Sequence, residues 1–561
     1  MKYINFLFIL LVIAVSFSCS KSQTTVYFNG KIYTLDANNT VVEAIAVKDG
    51  KIIDLGKNDD IKNKYGKDKL IDLNGGTVLP GFIESEGSIV DFSLELARYN
   101  NMADLRNINS IDKITNIVTE KIKKSKEDTW VGGYGWDDES LMNEIELINK
   151  ATLDKISNKH FIYLINSDGT IVWCNSKAID ALQITNMTPS PEGGEIGKDD
   201  NGNPDGLLFG KAINLVKEKL PKFTKEDMNN ALSAGTNEML KYGITGVVDR
   251  NLSKESINAF KELIDSNRIP IHIYGVLTGS DEAFADYLKK GIEPDYKGKM
   301  TIRGVTLDYD GAFENQSAAM SGNYKIGSNK KNPYTDEAGI EKTLREALDK
   351  NFQFSIKTVG DDAVNKVLNV IEKVVKEKNP KDARIKLENI EFAGQSDLIR
   401  MKELKIIPSV RPETAVFDFD YIDILVSPEA KKNFALWNSL IKNTGLLTCG
   451  SGFPFSRSIS PIIGIYYLTE RQPIDTILAN TPNPEQKISI LDAIKSYTVW
   501  AAYSTFQEEK KGSLEKGKIA DMVVLSDDIF KLTGTALLNT KVKMTIVNGL
   551  VVYENKENSS K

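Results

Sequence analysis

Hydrophobic and polar positions follow two rhythms along this chain. At the beginning, Thr25-Val26-Tyr27-Phe28 and Lys31-Ile32-Tyr33-Thr34 flank Asn29-Gly30. Two β-rich runs around Asn-Gly predict a hairpin, because that dipeptide accepts the positive φ angles of a tight turn. The pattern repeats at residues 44–47 and 51–54 around Asp49-Gly50, and again near the far end at 522–525 and 544–553, where Asn548-Gly549 interrupts the run. Short strands need partners to bury a face. Residues 24–80 and 505–555 are therefore expected to build one β-sandwich domain from both termini.

Between these ends the rhythm lengthens. Apolar residues recur at helical spacing over 111–122, 225–240, 340–348 and 363–375, and short apolar runs at 244–248, 271–276 and 354–356 read as buried strands. Strand–helix alternation over some 400 residues predicts an α/β fold, a TIM (β/α)₈ barrel over 81–504. An open doubly wound sheet is the alternative, but no Gly-x-Gly-x-x-Gly opens a helix after an early strand.

The N-terminus has the pattern of a targeting segment. Lys2 precedes the apolar run 6–15, which is too short to span a bilayer and has the length of a signal-peptide core. Ser16-Phe17-Ser18-Cys19 then resembles a bacterial lipobox, with Ser16 where Leu is usual. Residues 1–19 are thus expected to be a lipoprotein-type signal, Cys19 the lipidated residue, and the bacterial cell envelope the location, with the membrane reached through the lipid. A net charge of −6 with no basic stripe argues against nucleic acid as a partner. Cys174 and Cys449 sit in apolar surroundings and no Cys-x-x-Cys occurs, which excludes thiolate zinc sites. Only two histidines exist, His160 and His272.

A series of short motifs runs through the chain in one order. It begins with Val78-Leu79-Pro80-Gly81-Phe82-Ile83, Gly133-Tyr134-Gly135-Trp136-Asp137 and Asn166-Ser167-Asp168-Gly169. Tyr242-Gly243-Ile244-Thr245, Asp310-Gly311, Val359-Gly360-Asp361, Gly450-Ser451 and the run 512–521 complete it. Together they resemble the amidohydrolase superfamily, specifically the amidohydrolase 3 family (N-substituted formamide deformylase-like). The resemblance implies that the TIM barrel is distorted and carries an inserted subdomain over about 95–235, early in the barrel. It implies hydrolysis of non-peptide carbon–nitrogen bonds with zinc or a similar divalent ion at the C-terminal ends of the barrel strands. It also implies where ligands would stand: a His-x-His after Pro-Gly-Phe, a barrel Lys, two later His and a late Asp.

Each of those positions carries a different residue here. The His-x-His place holds Glu86 and Ser88, the barrel Lys falls at Thr306, and His-Ala-Ile-Gly-Asp becomes Lys357-Thr358-Val359-Gly360-Asp361. The Glu-His pair becomes Glu388-Asn389, and the late Ser-Asp becomes Ser451-Gly452. Zinc is matched to imidazole, thiolate and carboxylate, so the resemblance implies a lipoprotein that keeps the barrel and works without a metal cofactor. Its mouth would hold a small molecule or a protein partner. An active hydrolase of amides or formamides is the alternative. Glu86, Ser88, Thr306, Asp310, Lys357, Asn389, Arg411 and Gly452 are the pocket candidates, with Glu86 read as a counterion to Lys357. Glu84, Asp308, Asp310 and Glu388 are oxygen donors of the kind that suits Ca²⁺ or Mg²⁺.

Overall fold

The structure, a computed structural model, describes residues 23–556 apart from 68, 138–139, 168, 328–332 and 477. The expected signal segment with Cys19, and Asp168 of the insertion motif, lie outside the described residues.

The two ends of the chain meet in a β-sandwich. One sheet has the spatial order Lys51–Gly56, Ala44–Lys48, Thr25–Phe28 and Lys69–Asp72. The other runs Leu550–Glu554, Val542–Val547, Met522–Leu525, Thr77–Pro80, Lys31–Tyr33 and Val41–Val42. Met522–Leu525 pairs antiparallel with Thr77–Pro80, so the second sheet joins N- and C-terminal segments directly. Tyr27, Val47, Val78, Met522 and Ile546 share one buried cluster drawn from both ends.

The hairpin expected at Asn29-Gly30 does not form. Thr25–Phe28 pairs with Ala44–Lys48 on one edge and with Lys69–Asp72 on the other. No edge is left for Lys31–Tyr33, and Asn29-Gly30 instead carries the chain into the second sheet. At the other two turns the strands do pair across the turn, Lys48 opposite Lys51 and Val547 opposite Leu550. Asp49, Gly50, Asn548 and Gly549 all have positive φ there, as a two-residue hairpin requires.

A second sheet system lies between the first and second barrel strands. It runs from Ala103–Asp104 to Pro204–Gly210 along the chain and has its own apolar clusters. Helix Ile111–Ile122 contributes Ile111, Ile114 and Val118 to one of them. Trp136 is buried there, its indole N–H donating to the Leu164 carbonyl at 3.1 Å. His160 is also part of this insertion, buried with Nδ1 2.8 Å from Ser157 Oγ.

The barrel strands are β1 (Phe82–Gly87), β2 (Ile244–Asp249), β3 (His272–Thr278), β4 (Met300–Asp308), β5 (Gln353–Lys357), β6 (Lys386–Glu388), β7 (Ile407–Val410) and β8 (Thr448–Cys449). Successive strands are parallel neighbours. The ring closes where the Gly452 N–H donates to the Glu86 carbonyl at 2.9 Å. Register shifts between β1 and β2, and the two-residue β8, make this a distorted (β/α)₈ barrel. Helices cover it with their apolar faces. Lys225–Leu240 buries Leu232, Gly235, Met239 and Leu240, and starts at a Thr224–Asp227 capping box that satisfies backbone N–H groups the first turn leaves unpaired. Cys174 and Cys449 are free and buried. Among the described residues no helix is long and apolar enough to cross a membrane.

Candidate binding site at the barrel mouth

Alternate residues of a strand share a face, and the register of β4, β5 and β6 puts three ionic side chains in one layer. Asp308 is aligned with Lys357, and Lys357 with Glu388. One layer deeper, Thr306 is aligned with Ser355 and Ser355 with Lys386. Glu86 enters from β1, and Arg411 from the residue after β7.

Arg250, the residue after β2, organises one half of this layer. Its Nη2 donates to Thr306 Oγ1 at 3.1 Å and to Asp308 Oδ1 at 3.0 Å, and its Nε lies 3.1 Å from Glu388 Oε2. Burial works against its charge, but Glu388, Asp308 and Glu86 together raise its pKa above the usual value. Lys386 donates to the Ser85 carbonyl at 2.6 Å and stands 3.4 Å from Glu388 Oε1.

Arg411 organises the other half. Its Nε donates to Glu86 Oε2 at 2.9 Å, and Glu86 Oε1 accepts the Asn389 N–H at 3.3 Å. Burial pushes the Glu86 carboxyl up, but Arg411, Lys386 and Arg250 outweigh it and hold the pKa below the ordinary range. Gly452 makes this contact possible. Its φ is +76°, and a Cβ there would come within 2.6 Å of Arg411 Nε. The counterion of Glu86 is thus Arg411, where Lys357 was expected. The reason is positional: β7 ends beside β8 and β1, whereas Lys357 is aligned between Asp308 and Glu388.

Two pocket candidates turn out to serve the scaffold. Ser88 caps helix Ile89–Asn100, donating to Asp91 Oδ2 at 2.7 Å and accepting from the Asp91 N–H. Asp310 accepts three backbone N–H groups, from Val359 at 2.8 Å and from Ala319 and Gly360 at 2.9 Å. It ties the loop after β4 to the loop after β5, a contact that neither local motif displays. Thr306, Lys357, Arg411 and Gly452 do come together around the mouth. Asn389 joins them through its main chain, and its buried side-chain Oδ1 has no hydrogen-bond partner among the described residues.

Sequence reasoning missed Arg250 and Lys386. For Lys386 a signal existed: in Ile385-Lys386-Leu387-Glu388 charged residues alternate with apolar ones at strand period, so both charges had to face the opposite side from the outer apolar layer. Arg250, directly after the buried run Val247-Val248-Asp249, had no comparable mark.

This donor set does not fit the zinc ion implied by the resemblance. Glu86 and Glu388 already contact guanidinium groups, and neither histidine reaches the mouth. His272 begins β3 at the opposite end of the barrel, with Nε2 3.1 Å from Asp521 Oδ2 and Nδ1 3.1 Å from the Gly298 carbonyl. Burial and Lys511 lower its pKa against the pull of Asp521. The four oxygen donors considered for a harder ion do not converge either. Glu84 accepts the N–H groups of Glu86 and Ser451, Asp310 is saturated by backbone, and Asp308 and Glu388 share Arg250.

Buried carboxyls give the fold a definite pH response. Burial pushes Glu84, Glu413 and Asp418 up to about 7 and Asp310 up to about 6. Each keeps its proton in the folded chain over a range where the unfolded chain, titrating near about 4, has released it. Unfolding therefore releases protons, and stability falls as pH rises from about 4 to about 7, then levels off. Asp521 acts in the opposite direction. His272 and Lys511 overcome burial and hold it at about 2, so its contribution is present above about 4 and lost below. From these groups the melting temperature is expected to fall between about pH 4 and about pH 7 and to change little from there to pH 8. A steady rise from pH 5 to 8 would mean that these carboxyls are ionised in the folded chain.

Comparison with known proteins matches this architecture end to end. The putative amidohydrolase YtcJ of Bacillus subtilis is 27% identical over 539 residues, covering 94% of this chain and 99% of that protein. The N-substituted formamide deformylase of Arthrobacter pascens is 23% identical, covering 94% and 97%. An uncharacterised metal-dependent hydrolase from Pyrococcus horikoshii shares the fold, with a TM-score of 0.73 at 21% identity over 91% of this chain and 99% of that one. The amidohydrolase family model matches residues 69–553, nearly the whole described chain, and the protein belongs to the amidohydrolase family.

Proposed function

We propose that this amidohydrolase-family chain is an exported, lipid-anchored binding protein whose barrel mouth works without a catalytic metal. One observation carries the reading. Guanidinium groups stand where the resemblance implies a metal's own partners, Arg250 against Thr306 and Arg411 against Gly452.

Magnitudes support it. A catalytic zinc lowers the pKa of bound water from 15.7 to about 7, which is on the order of 12 kcal/mol of differential stabilisation. A guanidinium has no lone pair for a metal and no empty orbital for water. A single carboxylate acting as general base contributes about 10²- to 10⁴-fold, far short of that difference. The Glu86 carboxylate, held by Arg411 and the Asn389 N–H, is moreover poorly placed to take a proton from water. Export and anchoring rest on the apolar run 6–15 and on Cys19. The second reading, a hydrolase of amides or formamides, draws on the full-length match to the formamide deformylase.

Elemental analysis and hydrolysis assays on formamides and hydantoins, with and without chelator, separate the two. Substoichiometric metal and no chelator-sensitive turnover are expected. Stoichiometric zinc, with turnover lost on chelation, would establish the hydrolase instead. For the anchor, Cys19→Ala is expected to move the protein from the membrane to the soluble fraction.

A further inference from the structure

We propose that the barrel mouth binds a small monocarboxylate between the Lys357 ammonium and the free edge of the Arg411 guanidinium. The inference rests on the metal-free reading above and names the class of ligand that reading requires.

Among the described residues, three of the four cations in the mouth are in direct contact with an acidic side chain. Arg250 is engaged by Glu388 and Asp308, Lys386 by Glu388 and the Ser85 carbonyl, and Arg411 by Glu86. Lys357 is aligned between Asp308 and Glu388 and is half-buried, yet among the described residues its Nζ has no hydrogen bond or ion pair. Partial burial lowers the pKa of this ammonium, and a carboxylate beside it would favour the charged form. Arg411 adds a second unused set of donors. A guanidinium carries five N–H groups in a planar fork suited to carboxylate, and among the described residues Arg411 uses only Nε.

The size of the ligand charge follows from the neighbours. Four cations, Arg250, Lys357, Lys386 and Arg411, already face four carboxylates, Asp308, Asp310, Glu86 and Glu388, so a ligand with one negative charge is favoured over one with two. A phosphate dianion would set a second charge against Asp308, Asp310, Glu86 and Glu388, which like-charge repulsion disfavours. The body of the ligand has room alongside. A cavity of about 250 Å³ adjoins the layer through Asp308 and Thr306, and Asn251, Thr278, Ser280 and Tyr334 give it hydroxyl and amide groups. That lining suits hydroxyl substituents better than an alkyl chain, so the class is a small hydroxylated monocarboxylate.

Calorimetric titration of the full chain, kept in chelator, tests this with glycerate, lactate and threonate, with glyceramide as the uncharged counterpart, and with inorganic phosphate. At least one of the carboxylates is expected to bind, with glyceramide and phosphate at least about tenfold weaker than glycerate. Lys357→Met should weaken carboxylate binding about ten- to a hundredfold, while Lys357→Arg retains most of it. Without ligand, Lys357→Met should melt no lower than the parent chain. Equal affinity for glyceramide, tighter binding of phosphate, unchanged affinity in Lys357→Met, a lower melting point for that variant, or no carboxylate binding at millimolar concentration would each overturn the proposal. Because the titrations exclude metal and read binding alone, they fail separately from the metal-free reading. Zinc-dependent hydrolysis would remove that reading whatever the titrations give, and a chain that neither hydrolyses nor binds carboxylate would remove only the present inference.

Discussion

Replacing Glu86 with alanine is expected to lower the free energy of unfolding by about 3–5 kcal/mol, and removing Arg411 in the same chain should recover a large part of that loss. Glu86 is fully buried, and the side chain of Arg411 is 16% exposed, with 2.9 Å between Oε2 and Nε. Taking away the carboxylate leaves a guanidinium in a poorly solvated place beside Lys386 and Arg250, both of which also act on Glu86. Taking away both members of the pair removes the uncompensated charge. Urea denaturation of Glu86→Ala, Arg411→Met and the double variant closes the cycle. Additive losses would mean that the two side chains do not depend on one another, and the account of the mouth as an internal ion-pair layer would then be wrong. The same cycle decides between Arg411 and Lys357 as partner, since Lys357→Met should show little coupling to Glu86→Ala.

The second large effect lies outside the mouth chemistry. Asp310→Ala is expected to cost about 3–6 kcal/mol, because three buried N–H groups lose their acceptor at about 1–3 kcal/mol each and partial relaxation recovers some of it. The loops concerned have little freedom to find substitutes. A Cβ on Gly360 would already lie 2.0 Å from the Ala319 carbonyl oxygen, so the two segments are in backbone contact. Asp310→Asn should cost less, since the amide oxygen still accepts. Hydrogen exchange at Ala319, Val359 and Gly360 reads the effect residue by residue, and should accelerate selectively at these amides in Asp310→Ala. Unchanged protection there would show that the carboxylate is dispensable and would return Asp310 to the pocket.

These two residues illustrate what a motif in a sequence reports. Asp310-Gly311 and Val359-Gly360-Asp361 stood out as separate landmarks, and the structure joins them by three hydrogen bonds. Asp521 is similar: at the end of the run 512–521, it holds His272 at 3.1 Å and accepts the Asn548 N–H at 2.8 Å, docking the sandwich against the base of the barrel. The landmarks around the altered positions therefore belong to the scaffold, and a scaffold survives changes at the mouth that chemistry would not.

What the sequence by itself determined was everything encoded over short range. Helices Ile111–Ile122 and Lys225–Leu240 have the bounds that apolar spacing predicts, since period and caps lie within a few residues of one another. The hairpin at Asn548-Gly549 and the strand runs at 244–248, 271–276 and 354–356 were readable for the same reason. Only the tertiary structure decided the rest. Asn29-Gly30 became a crossing between sheets because strands 16 to 47 residues further on took both edges of Thr25–Phe28. Arg250 found Glu388, and Glu86 found Arg411, across separations of 138 and 325 residues. A charge in a sequence has no partner until the strands close into a ring. Burial then makes that partner matter, because only inside the barrel is water too scarce to satisfy each ion alone.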